Sequence, residues 1–189
     1  MRAAGLFALL FLSACGAGLP GGGGGPAVPF DGEALAYGDI VVACDTPRAA
    51  LGTRVARFPA RGRDYRLYDT DPSTIALRPH YITGFPDGCP RKFMAALAIF
   101  GGATAYETTR VVDDLNTTNF TDTDRQYRAI RARVCGRPVG EACAASRFRI
   151  LERSAVFVSV YERFGTNPTW ADMLIYDGVV VAKDFKVLE

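Results

Sequence analysis

Five cysteines and one histidine are the side chains of this 189-residue chain with the most reactive chemistry to offer. Cys44, Cys89, Cys135 and Cys143 are spread through the body of the chain, and Cys15 stands apart near its start. Cysteines serve as metal ligands, redox pairs or nucleophiles, or as cross-links once oxidised in pairs. No Cys-X-X-Cys occurs, and a zinc site built on imidazoles needs more than His80, so neither metal nor cofactor is expected. His80, in RPHYITG, is the one imidazole available for general-base work. A Ser-His-Asp hydrolase would have to use it. No Gly-X-Ser-X-Gly is present, however, and Ser73, Ser146, Ser154 and Ser159 lie in undistinguished surroundings. His80 is therefore expected to be a structural residue at a strand start, with a hydrolase built on it as the alternative.

The carboxylates lead no further. DTDPST at 69–74 puts Asp69, Asp71 and Ser73 where a calcium loop has its first three ligands. The glycine such a loop requires is replaced by Thr74 and its closing glutamate by His80, so an Asp-Pro turn explains the residues better. DDLNTTNFTDTD at 113–124 collects oxygens irregularly and reads as a solvated loop. Its Asn-X-Thr triplets at Asn116 and Asn119 would matter only in a eukaryotic secretory protein.

Cys15 gains its meaning from what precedes it. Arg2 is a short positive start, residues 3–12 are apolar, and Ser13 and Ala14 are small. This is the layout of a signal peptide, too short for a bilayer that needs about 20 apolar residues. Leu12-Ser13-Ala14-Cys15 resembles the lipobox of bacterial lipoproteins. The resemblance implies that residues 1–14 are removed and that the Cys15 thiol carries a diacylglyceryl group, with the new amine also acylated by a chain such as palmitate. Gly16, where an aspartate would retain the protein in the inner membrane, implies the outer membrane. Two or three acyl chains make such an anchor effectively permanent.

Residues 16–29, GAGLPGGGGGPAVP, carry no charge and cannot build a core. Residues 15–29 are thus the lipidated cysteine and a Gly/Pro-rich tether, with an r.m.s. span of roughly 20 Å. The glycine run is no phosphate loop, since no Lys-Ser/Thr follows it. Residues 30–189 suffice for one domain facing the periplasm. Setting Cys15 aside leaves an even set of cysteines in an oxidising compartment, so two disulfides are expected. Three pairings are possible. Cys135–Cys143 with Cys44–Cys89 is preferred, because CGRPVGEAC holds a proline and two glycines that let a short loop close.

Charge is nearly balanced, with 22 basic and 20 acidic residues, so an exported chain of this kind is not expected to bind nucleic acid. The distribution is uneven. Residues 125–153 hold eight arginines against Glu141 and Glu152, a net of +6, while residues 107–124 hold five acids against Arg110, a net of −4. Guanidinium forks grip carboxylates and phosphates in pairs. Arg125, Arg128 and Arg133 are accordingly candidate contacts to anionic lipid, peptidoglycan or an envelope protein. The competing reading is a pair of solvated helix faces neutralised by the acidic loop.

The elements that must position these residues are legible in part. The apolar run at 40–44, the alternating residues 65–68 and the β-prone run 80–85 read as strands, and Thr46-Pro47 opens a helical turn over 47–51. KFMAALAIF at 92–100 is apolar on both faces of a strand, which suits the middle of a covered sheet, with a buried helix as the rival. Thr121 or Asp122 starts a helix with Tyr127, Ile130 and Val134 on one stripe, ending near Cys135-Gly136, and a second helix spans about 144–152. Residues 155–161, 170–176 and 179–187 form a meander with Asp177-Gly178 as a hairpin turn. The expected fold is α+β: a single domain with a mostly antiparallel sheet, two or three packed helices and two disulfides.

HYITGFPDGCPRKF, the RVCG…C segment and VFVSVYERFG…WADMLIYDG resemble uncharacterised lipoproteins of alphaproteobacteria. That resemblance implies a family and no activity. The functional expectation is a membrane-anchored, non-enzymatic binding or envelope-assembly module.

Overall fold

The computed structural model describes residues 35–110, 121–137 and 141–187. Its strands are β1 (Ile40–Val42), β2 (Thr53–Ala60), β3 (Arg63–Asp69), β4 (Arg78–Thr83), β5 (Arg91–Ala95), β6 (Leu97–Gly101), β7 (Ala155–Tyr161), β8 (Thr169–Tyr176) and β9 (Val179–Val187). The helices are α1 (Ala103–Arg110), α2 (Asp122–Cys135) and α3 (Ala145–Glu152), with a 3-10 turn at Arg48–Leu51.

Two antiparallel sheets form, in the orders β1-β5-β4-β3-β2 and β6-β7-β8-β9. Their facing sides share a core, in which Tyr65, Leu67, Ile82 and Phe93 of the first sheet meet Val156, Val158, Met173 and Ile175 of the second. The helices cover the far side of the second sheet, where Tyr106, Tyr127, Ile130 and Leu151 pack on Phe157 and Leu174. The layers run sheet, sheet, helices. This is an α+β fold, and both expected disulfides, Cys44–Cys89 and Cys135–Cys143, are present.

AVFVSVY of β7 illustrates the link from sequence to layer. Both of its faces meet packed neighbours, so the strand is apolar at nearly every position. Val156, Phe157, Val158 and Val160 are each at most 4% exposed, and burying each such side chain contributes roughly 1.5–3 kcal/mol.

KFMAALAIF departs from the expectation of one strand or a buried helix. β5 ends at Ala95, the chain bends at Ala96, and β6 starts at Leu97 in the other sheet. One expected sheet thereby becomes two. Ala95 and Ala96 are wholly buried, and no larger side chain has to be accommodated where the chain steps across the core. The Ala96 N–H donates to the Tyr161 carbonyl at 2.8 Å, so the step itself is tied to β7.

α2 matches its sequence signals. Thr121 and Asp124 make a reciprocal capping box at its start, and Gly136 ends it in the left-handed region at φ 65°, donating to the Ala132 carbonyl at 2.8 Å. The β8–β9 hairpin places Asp177 at φ 49° and Gly178 at φ 88°, the two positive values that an Asp-Gly turn of this type requires.

Candidate functional site

His80 lies in β4, where the ladders align it with Asp69 of β3 and Phe93 of β5. It is 2% exposed and stacked on the Phe93 ring. Its Nε2 is 3.3 Å from Asp69 Oδ2 and its Nδ1 is 3.2 Å from the Arg78 carbonyl oxygen. Asp69 is already gripped by the buried Arg78 guanidinium, with Nε donating to Oδ1 at 2.7 Å and Nη2 to Oδ2 at 2.5 Å. Burial pushes the imidazole below its usual value, and Arg78 adds to that push, while the Arg78 carbonyl and Asp69 act the other way.

The purpose of this cluster is visible in its remaining bond. Arg78 Nη1 donates to the carbonyls of Ala76 (2.8 Å) and Ala96 (3.0 Å). Ala96 is the residue at which the chain leaves one sheet for the other, so its carbonyl lacks a ladder partner and needs a donor. Arg78 supplies it, Asp69 balances the buried charge, and His80 fills the space beside them. In this arrangement the imidazole has no exposed nitrogen to offer a substrate. The serines are engaged elsewhere: Ser73 donates to Asp71, Ser154 to the Ile150 carbonyl and Ser159 to Asp172. Ser146 is exposed on α3. Asp71 and Ser73 belong to a turn in which the Asp71 N–H donates to Asp69 Oδ1 and the Ser73 N–H to Asp71 Oδ1.

A second buried polar cluster, not foreseen from residue spacing, pins α1 and α2 to β9. Lys186 is 1% exposed, and its ammonium donates to Asp124 Oδ2 at 2.6 Å and to Thr121. Asp184 lies 3.6 Å from the same ammonium, and the Tyr106 hydroxyl donates to Asp124 Oδ1 at 2.6 Å. Burial alone would raise the Asp124 carboxyl, but the bonds from Lys186, Thr121 and Tyr106 outweigh it and hold the group at about 2. Asp124 is therefore a cap and a counter-ion, not part of a solvated acidic loop.

The arginines of the +6 segment are sorted by their neighbours. Arg131, counted with the basic face, is instead 4% exposed. Its Nε donates to Glu107 at 2.8 Å, and Nη2 donates to the Glu141 carbonyl at 2.8 Å, which ties down the Cys135–Cys143 loop. Tyr127 donates to the same Glu107 carboxylate at 2.5 Å; burial and then that carboxylate push its hydroxyl far up. Arg125 pairs with Asp122 and Arg137 with Glu141. Arg125 and Arg133 are exposed on α2, and Arg128 is half-buried. At 3.6 residues per turn, Arg128 and Arg133 lie about 60° and about 80° to either side of Arg125.

Arg149 and Arg153, at the end of α3, meet an arginine from elsewhere. With Arg61 of the β2–β3 turn they line an open cavity of about 500 Å³, together with Ile150 and Glu152. The Arg61 N–H donates to the Arg153 carbonyl at 2.6 Å, and this backbone bond holds the turn against the helix end. Glu152 is directed to α1: its Oε2 accepts from the Thr104 N–H at 2.6 Å. Gly102 makes room for that carboxylate, since a Cβ there would sit 2.3 Å from Glu152 Oε1. No described residue makes a hydrogen bond or ion pair to the guanidinium groups of Arg61, Arg149 or Arg153. Burial and then Asp177 push the Tyr176 hydroxyl up, and Arg133 and Arg61 act the other way.

Cys15, the tether, Asn116 and Asn119 lie outside the described residues. Among the described residues no three His, Cys, Asp or Glu side chains are gathered as metal ligands, and no helix is long and apolar enough to cross a membrane. No family model, curated protein or solved structure matches this chain.

Proposed function

We propose that the protein is a lipoprotein of the bacterial cell envelope, acylated at Cys15 and attached to the outer membrane, with its domain facing the periplasm as a non-enzymatic binding or assembly module. The supporting observation is the disposition of the five cysteines. Four are joined as Cys44–Cys89 and Cys135–Cys143, which suits an oxidising compartment and leaves Cys15 as the thiol without a cysteine partner. That thiol follows a signal-like segment at the position where lipoproteins are acylated. The module reading is favoured by the burial of His80, whose neighbours serve the crossing between the sheets. Metabolic labelling with a palmitate analogue, comparing the wild type with Cys15→Ser, tests the anchor. Label on the wild type alone, with that protein in the outer-membrane fraction, is expected. Unlabelled wild-type protein in the soluble periplasm would overturn the proposal.

A further inference from the structure

We infer that the end of the two-sheet sandwich at which the chain enters is a second membrane contact, where apolar side chains dip into the surface of the bilayer that holds the anchor. This rests on the anchored reading above. Several contacts fix which loops share that end. The step at Ala96 joins the end of β5 to the start of β6 and bonds to Tyr161 at the end of β7. The Tyr37 hydroxyl donates to the Val160 carbonyl at 2.8 Å and accepts from the Ala171 N–H at 3.2 Å. The Tyr37 ring lies 5.7 Å from that of Phe185. Residues 35–39, just before β1, therefore meet the end of β7, the start of β8 and the end of β9. The ladders put the β3–β4 loop, 70–77, at the same end, since Asp69 faces His80 and Arg78 faces Ala95.

Exposed apolar side chains gather there. Eight large ones are exposed among the described residues, and five of them, Ile75, Leu77, Phe164, Phe185 and Val187, stand at this end. Only Val179 is at the opposite end, while Val55 and Ile99 are on the edge strands β2 and β6. Apolar side chains scattered singly need no partner, but a cluster of them marks a contact. The loops that present them are held by polar bonds. Buried Asn167 donates to the carbonyls of Arg163 (2.7 Å) and Gly165 (3.0 Å), which fixes the turn around Phe164. Thr74 accepts from the Ala76 N–H at 3.1 Å and so fixes the backbone on either side of Ile75, which is 74% exposed. Tyr161 and Trp170, stacked with centroids 6.4 Å apart, are half-buried beside them, and such rings suit a boundary between lipid and water. Charge favours a neutral lipid surface over an anionic one: Asp71 and Glu162 outnumber Arg163 here, and Asp39 is paired with Lys183. The chain from Cys15 arrives at this end through Leu35. A weak contact then suffices, because a linked site sees a roughly millimolar effective concentration.

The test uses the full chain purified from membranes and reconstituted into phosphatidylcholine vesicles whose lipids carry a carbene precursor on the acyl chain. Label is expected on the peptides that hold Ile75, Leu77 and Phe164, and not at Val179, which is comparably exposed at the far end. Trp170 is the single tryptophan, so quenching of its emission by brominated phosphatidylcholine is a second readout. Ile75→Asp combined with Phe164→Asp should lose most of the label and the quenching at an unchanged thermal midpoint, since both side chains are exposed. Val179→Asp should lose neither, and high salt should leave both signals in place, as an apolar contact requires. Mass spectrometry of the same sample reads the acyl chains on Cys15 separately. Labelled loops on an unacylated chain would sink the anchor alone, whereas unlabelled loops on an acylated chain would sink this inference alone. Equal label at both ends, signals that survive the double change, or a dimer formed through these residues in place of lipid contact would each overturn it.

Discussion

Replacing Lys186 by methionine would remove the ammonium that faces Asp124 in the seam between α2 and β9. The pair is 1% and 5% exposed at the side chains, with Nζ and Oδ2 2.6 Å apart. Removing one partner of such a buried pair costs about 3–5 kcal/mol, because the other charge stays buried without a counter-ion. The pH dependence of that loss identifies its cause. Asp124 falls from 3.8 to about 2 on folding, which at 1.36 kcal/mol per pH unit contributes about 2 kcal/mol. A depressed carboxyl stabilises above its unfolded value and loses that contribution as pH falls through the folded one. In Lys186→Met the burial of Asp124 acts unopposed by the ammonium, so the carboxyl rises and acid relieves the defect. Urea unfolding of the disulfide-intact protein should therefore show a difference of about 3–5 kcal/mol at pH 7 that shrinks steadily toward pH 3. Asp124→Asn combined with Lys186→Met should cost less than the two single changes added together. A difference below about 1 kcal/mol at pH 7, or one that stays constant down to pH 3, would refute this account of the seam.

Other perturbations test other parts of the fold. Arg78→Met should destabilise by about 3 kcal/mol or more in thermal or urea unfolding, since it strands the buried Asp69 and the Ala96 carbonyl together. His80→Gln should flatten the stability profile between about pH 7.5 and 5: the folded imidazole lies below its usual 6.5, so its burial costs stability progressively as pH falls. Opening Cys44–Cys89, 45 residues apart, should cost about 4 kcal/mol by loop entropy, against about 2.5 kcal/mol for Cys135–Cys143, 8 apart; paired Cys→Ala variants compared by denaturant midpoint check the order. Gly178→Ala should cost at least about 1 kcal/mol in thermal unfolding, because its φ is 88° and the new Cβ would lie 2.7 Å from Arg63 Nε.

Much of the architecture was legible because local signals and burial agree. The α2 stripe, its start at Thr121, the β7–β8–β9 meander and the Asp-Gly hairpin all appear where period and turn chemistry put them. β2 and α1 escaped for opposite reasons. β2 is a sheet edge whose arginines and Pro59 face outward, so only Ala56, Phe58 and Ala60 carry its inward pattern. α1, ATAYETTR, has one large apolar residue and three threonines, and its helicity depends on Tyr106 stacking with Phe157 and on the Glu152 carboxylate at its N-terminal end. The break at Ala96 was invisible for a third reason. A run apolar on both faces is equally compatible with one covered strand and with two strands that belong to different sheets.

The same distinction governs the charged residues, where counting along the chain and counting in space give different surfaces. A segment total of +6 describes residues 125–153, yet folding cancels or diverts part of it: Arg131 goes inward to Glu107 and Arg125 pairs with Asp122, both acids from outside the segment. What concentrates charge is an arginine from another part of the chain. Arg61 stands in a β2–β3 turn that no charge window containing α3 would include, and it reaches Arg153 through a main-chain hydrogen bond that no side-chain identity encodes. A local excess of arginine therefore places nothing by itself. Topology supplies the neighbouring cation, Arg61, and Gly102 withdraws the neighbouring acid by admitting the Glu152 carboxylate to the start of α1.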